Sequence, residues 1–326
     1  METRVLGGSC LATTRLGFGL AAVGRPAYIN LGRSRDFSQD RRPESLRQLA
    51  HELLDVAYAG GVRYFDAARS YGRAEEYLAS WLALRHPLVD PVTCGSKWGY
   101  TYVGNWSMTA AVHEAKDHSL AALTRQYQES ASILGANLQL YQVHSATLES
   151  GILTDLQVLR ELTRLRQGGL AIGLTVSGPR QNEVIHKALA VSVDGFNPFS
   201  TVQATWNLLD PSVGAALEAA HEAGWGVLVK ESLANGRLLQ TQDPLLGPVL
   251  DIATRRQVGP DVVALAAALA QPFVDVVLLG SVTAAQLQSN LAATEVCLTP
   301  DELEELATVA RSPETYWEER RLLRWS

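Results

Sequence analysis

Cysteine is scarce in this chain of 326 residues, which holds only Cys10, Cys94 and Cys297. Three widely spaced cysteines with no C-x-x-C spell neither a disulfide framework nor a zinc knuckle, and such usage points to a reducing cytoplasm. No basic excess exists either. Lys plus Arg number 28 against 34 Asp plus Glu, a net charge of -6 with histidine neutral. Such a balance is a poor basis for gripping a phosphate backbone, so nucleic acid is not an expected partner. The longest apolar stretch, Val262 to Val274, is broken by Gln271 and Pro272 and is too short to span a bilayer. No membrane partner is expected. Leu16 to Val23 resembles a short signal-peptide core after Arg15, but it contains two glycines and no small-x-small site follows. It reads as a buried strand. No Gly/Ser linker divides the chain, so residues 1–326 are expected to form a single domain. Hydrophobic residues make up 47% and charged ones 19%, enough apolar surface to exclude disorder.

What is present is a repeating unit: a short apolar run, a loop, then a helix-period segment ending at glycine. Eight runs read as strands: Leu16–Leu20, Arg63–Asp66, Val92–Lys97, Leu138–His144, Leu170–Thr175, Ser200–Ala204, Gly226–Lys230 and Val276–Gly280. Between them, Leu46, Leu49, Leu53, Leu54 and Ala57 form one helical stripe closed by Gly60-Gly61, and Leu153 to Leu165 form another. Asp210-Pro211 reads as a helix start, and Thr283/Gln286 and Thr299/Glu302 have capping-box spacing. Eight strands alternating with helices predict an α/β fold, a (β/α)8 TIM barrel with long βα loops and an extra C-terminal helix and tail; a doubly wound open sheet is the rival. The barrel places chemistry where strands end. That singles out Asp66, Lys97, His144, Thr175, Gln203 and Lys230, with long loops at Ala21–Arg42, Trp98–Met108 and Glu231–Gly259 as walls.

Several motifs fail. Gly17-x-Gly19 followed by Gly24 has the wrong spacing for a dinucleotide fingerprint, and Arg25-Pro26 stands where a P-loop needs Lys-Ser/Thr. No G-x-S-x-G occurs. His113 and His118, five apart, fall on different helical faces, so no metal site is expected. Asp66, Tyr71, Lys97 and His144 remain. Singly, each has a bland reading as loop organiser, packing ring, solvated lysine or half-buried histidine. Jointly they are complementary at one barrel mouth. A lysine ammonium near a tyrosine favours its phenolate, an aspartate keeps the lysine charged, and a histidine orients a carbonyl oxygen. The set suits protonation of an oxygen while hydride attacks carbon.

These residues lie in segments that resemble the aldo-keto reductases. G-V-R-Y-F-D-A-A-R-S-Y-G (Gly61–Gly72) looks like that family's signature, G-S-K-W (Gly95–Trp98) its lysine strand and L-Y-Q-V-H (Leu140–His144) its histidine strand. V-Q-A-T-W-N-L-L (Val202–Leu209) is similar to its nicotinamide-holding segment, and Leu279–Asn290 to its adenosine-binding segment. The resemblance implies catalytic roles for Asp66, Tyr71, Lys97 and His144, with Tyr71 the general acid in reduction and the base in oxidation. It places Gln203 on the nicotinamide carboxamide and Trp206 on the ring face, with core packing the alternative for Trp206. Lys230, Ser232, Leu233 and Arg237 would follow the pyrophosphate, and Gly280, Ser281, Gln286 and Asn290 the adenosine. Thr175-Val176 stands where the family has Ser-Asn, so one carboxamide contact is missing or supplied elsewhere.

The implied cofactor is NADP(H) or NAD(H), without a metal. Relatives often carry Arg or Lys for the 2′-phosphate, whereas Ser281-Val282-Thr283 offers no cation and Leu279–Asn290 no acid. Both forms are expected to bind, with NADP(H) preferred by less than ~100-fold. Tyr28, Trp98, Tyr100 and Trp106 are the candidate substrate pocket, either as an apolar wall or as anchors for an ordered loop. Two functions are in view. One is reduction of an aldehyde or ketone to an alcohol, or its reverse. The other is a nicotinamide-binding regulatory subunit with little turnover; the chain's lack of a long terminal extension favours the free enzyme.

Overall fold

The computed structural model describes residues 1–31, 36–37 and 40–325, so part of the first long loop lies outside the described residues. The chain opens with β1 (Thr3–Val5) and β2 (Ala12–Thr14), paired antiparallel. The barrel strands are β3 (Leu16–Gly19), β4 (Tyr64–Asp66), β5 (Thr93–Trp98), β8 (Leu138–Ala146), β9 (Ala171–Val176), β10 (Thr201–Thr205), β11 (Gly226–Lys230) and β12 (Val276–Leu279). They pair in parallel in that order, and β12 closes on β3 with Leu279 opposite Phe18. Between β5 and β8, β6 (Tyr100–Tyr102) and β7 (Glu114–Lys116) form an antiparallel hairpin that the sequence pattern does not announce.

A closed parallel barrel follows from these sequences because each strand is buried on both faces, which suits near-continuous apolar runs. One face of each strand meets helices. Leu46, Leu53 and Leu54 of the helix Pro43–Ala59 are fully buried against the barrel wall, each contributing about 1.5–3 kcal/mol. The other face fills the interior. At the strand N-termini Tyr64, Leu140, Leu228 and Val276 pack with Leu6, the residue at the β1–β2 turn, which plugs the barrel floor. That plug requires Gly7, at φ +49°, because a Cβ there would lie 2.1 Å from the Gly226 nitrogen. Toward the strand C-termini the interior turns polar, with Asp66, Gln142 and Gln203 all buried.

Local signals were mostly obeyed. Thr299 and Glu302 make the full capping box, whereas Thr283 caps Gln286 N–H while the Gln286 side chain accepts from Val282 instead. Asp210 is not a helix cap: its carboxylate accepts from the buried Trp317 indole (2.9 Å), and the helix begins at Gly214. The second leucine stripe starts later than expected, because Asp155 caps the helix Leu156–Gln167 and leaves Leu153 outside it. Among the described residues no helix is long and apolar enough to cross a membrane.

Candidate active site

Three strand ends and one loop build the site. Asp66 ends β4, Lys97 is the penultimate residue of β5, and His144 lies near the end of β8. Alternation along β5 aims Lys97 inward and Trp98 outward. The Lys97 ammonium pairs with Asp66 Oδ2 and donates to the Ala67 carbonyl at 2.9 Å. Asp66 Oδ1 accepts from the Tyr64 hydroxyl (3.1 Å) and from Gln203 Nε2 (3.2 Å). This carboxylate is buried, and its several donors fix it opposite the lysine.

Tyr71 is carried by a loop whose backbone is fastened to the neighbouring strand. Ala67 N–H donates to Gly95 and Arg69 N–H to Lys97 carbonyl oxygen. Arg69 also pairs with Glu75, a fully buried carboxylate that accepts from Ser96 and Ser130 as well. The phenol ring therefore comes to rest with Lys97 Nζ 4.6 Å from its centroid and its hydroxyl 3.5 Å from His144 Nε2. Ser70 Oγ lies 3.3 Å from the other ring nitrogen of His144.

Electrostatics assign protonation states. Burial, then Lys97 and Arg25, hold His144 well below its ordinary value, so its imidazole is neutral. Burial also pushes the Tyr71 hydroxyl well above the usual tyrosine value, with Asp66 and Glu114 adding to it and Arg25 opposing. The lowering expected from the lysine is thus overturned: loss of solvation and the carboxylates of Asp66, Glu114 and Glu231 outweigh it. Tyr71 stands as a protonated phenol, an acid with its proton in place. Among the described residues no group of three or more His, Cys, Asp or Glu is placed to hold a metal ion.

The model of the aldo/keto reductase family matches residues 16–311. The chain belongs to that family. Relatives include the uncharacterized oxidoreductase YqkF of Bacillus subtilis, 26% identical, with 94% of this chain and 95% of that protein covered. Protein tas of Escherichia coli is 25% identical over 80% of this chain and 88% of its own. In fold, the aldo-keto reductase AKR11C1 from Bacillus halodurans, solved in its holo form, superposes with a TM-score of 0.69 at 22% identity, covering 96% and 97% of the two chains. The protein is an oxidoreductase of the aldo-keto reductase type.

Around the aldo-keto reductase quartet, the candidate walls divide. Tyr100 tilts toward His144, ring centroids 5.0 Å apart, and so faces the site. Tyr28 stands edge-on to Trp325 and beside Arg25. Trp98 does not line the pocket: it points outward from β5, is fully buried and packs edge-on to His118. Trp106 sits on the rim, anchored by its indole N–H to the Arg41 carbonyl at 2.7 Å. Trp206 is 4% exposed, with its indole nitrogen beside Gly214 at the start of a wall helix.

The cofactor-side candidates gather at the mouths of β9–β12. Thr175 is buried and its hydroxyl accepts from Ser145 N–H at 2.7 Å. Lys230 donates to Ser177 and Thr205 hydroxyls at 2.8 and 2.7 Å, and burial lowers its ammonium to about 8. Beyond it, Leu233 is half-buried in the loop where the Ser232 hydroxyl and Arg237 Nη2 are buried with no hydrogen-bond partner among the described residues. Gly280 is exposed after β12. Ser281 donates to Asn290 at 2.8 Å, Asn290 to Asp261 at 2.8 Å and Gln286 to Asp36 at 3.0 Å. Asp36 and Asp261 were not singled out by sequence reasoning, because they approach this segment from elsewhere in the chain. Arg25 was seen there only as the residue that spoils a P-loop.

Proposed function

We propose that the protein reduces an aldehyde or ketone to an alcohol, or catalyses the reverse, with Tyr71 as general acid/base. The observation that carries this reading is the Tyr71 hydroxyl 3.5 Å from His144 Nε2, above the buried Lys97–Asp66 pair. Tyr71 Oη gives its proton to the carbonyl oxygen as that oxygen gains negative charge. His144, neutral, orients the same oxygen by a hydrogen bond. Lys97 stabilises the phenolate that Tyr71 becomes, and Asp66 keeps Lys97 charged and fixed. The small-molecule substrate would lie against Tyr100 and Tyr28, with Trp106 on the rim.

NADP(H) or NAD(H) would supply or accept the hydride at the carbonyl carbon. The residues present fit such a dinucleotide. Among the described residues Ser232 Oγ and Arg237 Nη2 are orphaned buried donors in one loop, a costly arrangement unless a ligand accepts from them. Gln203 would hold the carboxamide end, Lys230, Ser232, Leu233 and Arg237 the pyrophosphate, and Gly280, Ser281, Gln286 and Asn290 the adenosine. The test is a panel of carbonyl compounds and alcohols, followed through nicotinamide absorbance with both cofactors. Many turnovers per protein on any member support the enzyme. Oxidation of bound cofactor that stops at one equivalent would instead support a redox-sensing subunit.

A further inference from the structure

One buried charge beside Tyr71 has no part in that scheme. Arg25, in the loop after β3, is 2% exposed. Its place is set by two glycines. A Cβ on Gly24 would lie 2.2 Å from the Tyr71 carbonyl oxygen, and one on Gly72 would lie 2.4 Å from the Gly24 carbonyl oxygen. Arg73 N–H donates to that same Gly24 oxygen at 2.8 Å. Only residues without side chains let the two backbone corners meet this closely. The contact delivers the next residue onto the phenol: the Arg25 guanidinium carbon is 5.1 Å from the Tyr71 ring centroid.

The guanidinium is anchored there. It donates to the Ser70 carbonyl at 3.0 Å and pairs with Glu114 of β7 at 2.8 Å. Tyr28 and Trp325 lie 5.3 and 4.8 Å from it, and Trp325 is itself stacked on His113 at 4.5 Å. Aromatic cover and burial keep the local dielectric low, which strengthens the charge felt at the ring. Two cations, Lys97 and Arg25, therefore stand within 5.1 Å of one ring centroid.

We propose that Arg25 is a positioning residue for the proton transfer, holding the Tyr71 ring and stabilising the phenolate left when the proton moves to the carbonyl oxygen, with Glu114 as its opposing counter-charge. This rests on Tyr71 being the proton donor. Among the described residues, the ionisable groups acting on Tyr71 include Tyr64, Asp66 and Lys97 on the barrel strands, His144 on β8 and Glu114 on β7. Glu231 follows β11, and Arg25 and Tyr28 belong to the first loop. After burial, Asp66 and Glu114 favour the phenol, and Arg25 works against them. Removing Arg25 or Glu114 must therefore move Tyr71 in opposite directions.

The experiment compares Arg25→Gln, Arg25→Lys, Glu114→Gln and the double Gln variant. Alcohol oxidation, which needs the Tyr71 phenolate, is measured against pH. Arg25→Gln should slow it about tenfold at a given pH, the effect of a shift of about one unit, and Glu114→Gln should speed it. Arg25→Lys should recover part of the loss, and the double variant should lie near the wild type. Cofactor affinity should stay constant throughout. A second readout does not depend on turnover: the ultraviolet phenolate signal of each protein minus that of its Tyr71→Phe counterpart. Ionisation should begin at lower pH in Glu114→Gln and at higher pH in Arg25→Gln. Equal losses in both single variants, with an unmoved Tyr71 titration, would overturn the proposal and make the pair a loop brace. A wild type that turns over no substrate would count against the proposed function, while the titration would still decide Arg25.

Discussion

The two halves of the barrel mouth are built differently. On the β4, β5 and β8 side, the chemistry rides on strand ends, and backbone hydrogen bonds between adjacent strands fix it. Asp66, Lys97 and His144 could hardly be elsewhere once the barrel closes, and the Tyr71 loop is laced to β5 at Gly95 and Lys97. On the β11 and β12 side, the wall is assembled from loops and helices that meet through side chains. Gln286 reaches Asp36, 250 positions away, and Glu231 is clasped by Arg320 of the C-terminal helix Pro313–Arg321. A strand-borne group is placed by the fold itself. A loop-borne group is placed by a partner that must be found.

The first side should break sharply. Tyr71→Phe keeps the ring between its neighbours and removes only the hydroxyl, so kcat should fall ~10²–10⁴-fold while cofactor affinity holds. Steady-state kinetics and a fluorescence titration of cofactor check both halves. A near wild-type kcat would remove Tyr71 from the mechanism. Lys97→Met attacks the support instead. It leaves the Asp66 carboxylate buried opposite an apolar side chain, and losing one partner of a buried pair costs about 3–5 kcal/mol. Denaturant unfolding should show that loss, and Lys97→Met/Asp66→Asn should regain part of it without regaining activity. Stability and activity recovering together would mean the pair serves packing alone.

The same contrast explains what the sequence made legible. Apolar runs punctuated by glycine located all eight barrel strands, since a doubly buried strand leaves little choice of residue. Asp66, Lys97 and His144 were legible because strand ends converge in this fold whatever the loops do, and Tyr71 through the family's Asp-to-Tyr spacing of five. Trp98 misled for a related reason: an aromatic beside a functional residue invites a functional role, yet the next position on a strand faces the opposite way. Arg25 was invisible because its meaning depends on Gly24 touching Tyr71 across 47 positions of chain, as the Gly24 contact to the Tyr71 carbonyl records. The β1–β2 plug and the β6–β7 hairpin are three-residue strands, too short to show periodicity.

On the strand-built side sits His118, whose Nε2 lies 2.9 Å from the carbonyl oxygen of His144. Burial, then Lys116, lowers its ring from 6.5 to about 4. The folded protein therefore holds His118 neutral where the unfolded chain protonates it. Its contribution to stability is complete above pH 6.5 and is lost as pH falls toward about 4. His144, shifted in the same direction, adds to that slope. His118→Gln should flatten the acid loss of stability by at most ~1.4 kcal/mol per pH unit, read from denaturant midpoints across that window. An unchanged slope would show that the ring is solvated in the folded state.

The smallest effect belongs to the loop-built side. Asp261 accepts from Ser289 at 2.6 Å and from Asn290 at 2.8 Å, and Asp36 accepts from Gln286, so two carboxylates border the segment proposed to hold the adenosine. Family habit, with neither a cation nor an acid within Leu279–Asn290, led to a modest preference for NADP(H). The carboxylates brought in from outside oppose a 2′-phosphate and tolerate a free hydroxyl, which moves the expected balance toward NAD(H). The groups are near solvent, where salt weakens such repulsion beyond about 10 Å at 0.1 M. Asp261→Asn keeps a hydrogen-bonding side chain of the same shape and removes the charge. It should raise affinity for NADP(H) relative to NAD(H) by less than about tenfold, under ~1.4 kcal/mol, and the gain should shrink as salt rises. Dissociation constants for both cofactors at two salt concentrations measure it. A ratio indifferent to both the substitution and the salt would mean that this wall holds its own helix in place and leaves the choice of cofactor to other groups.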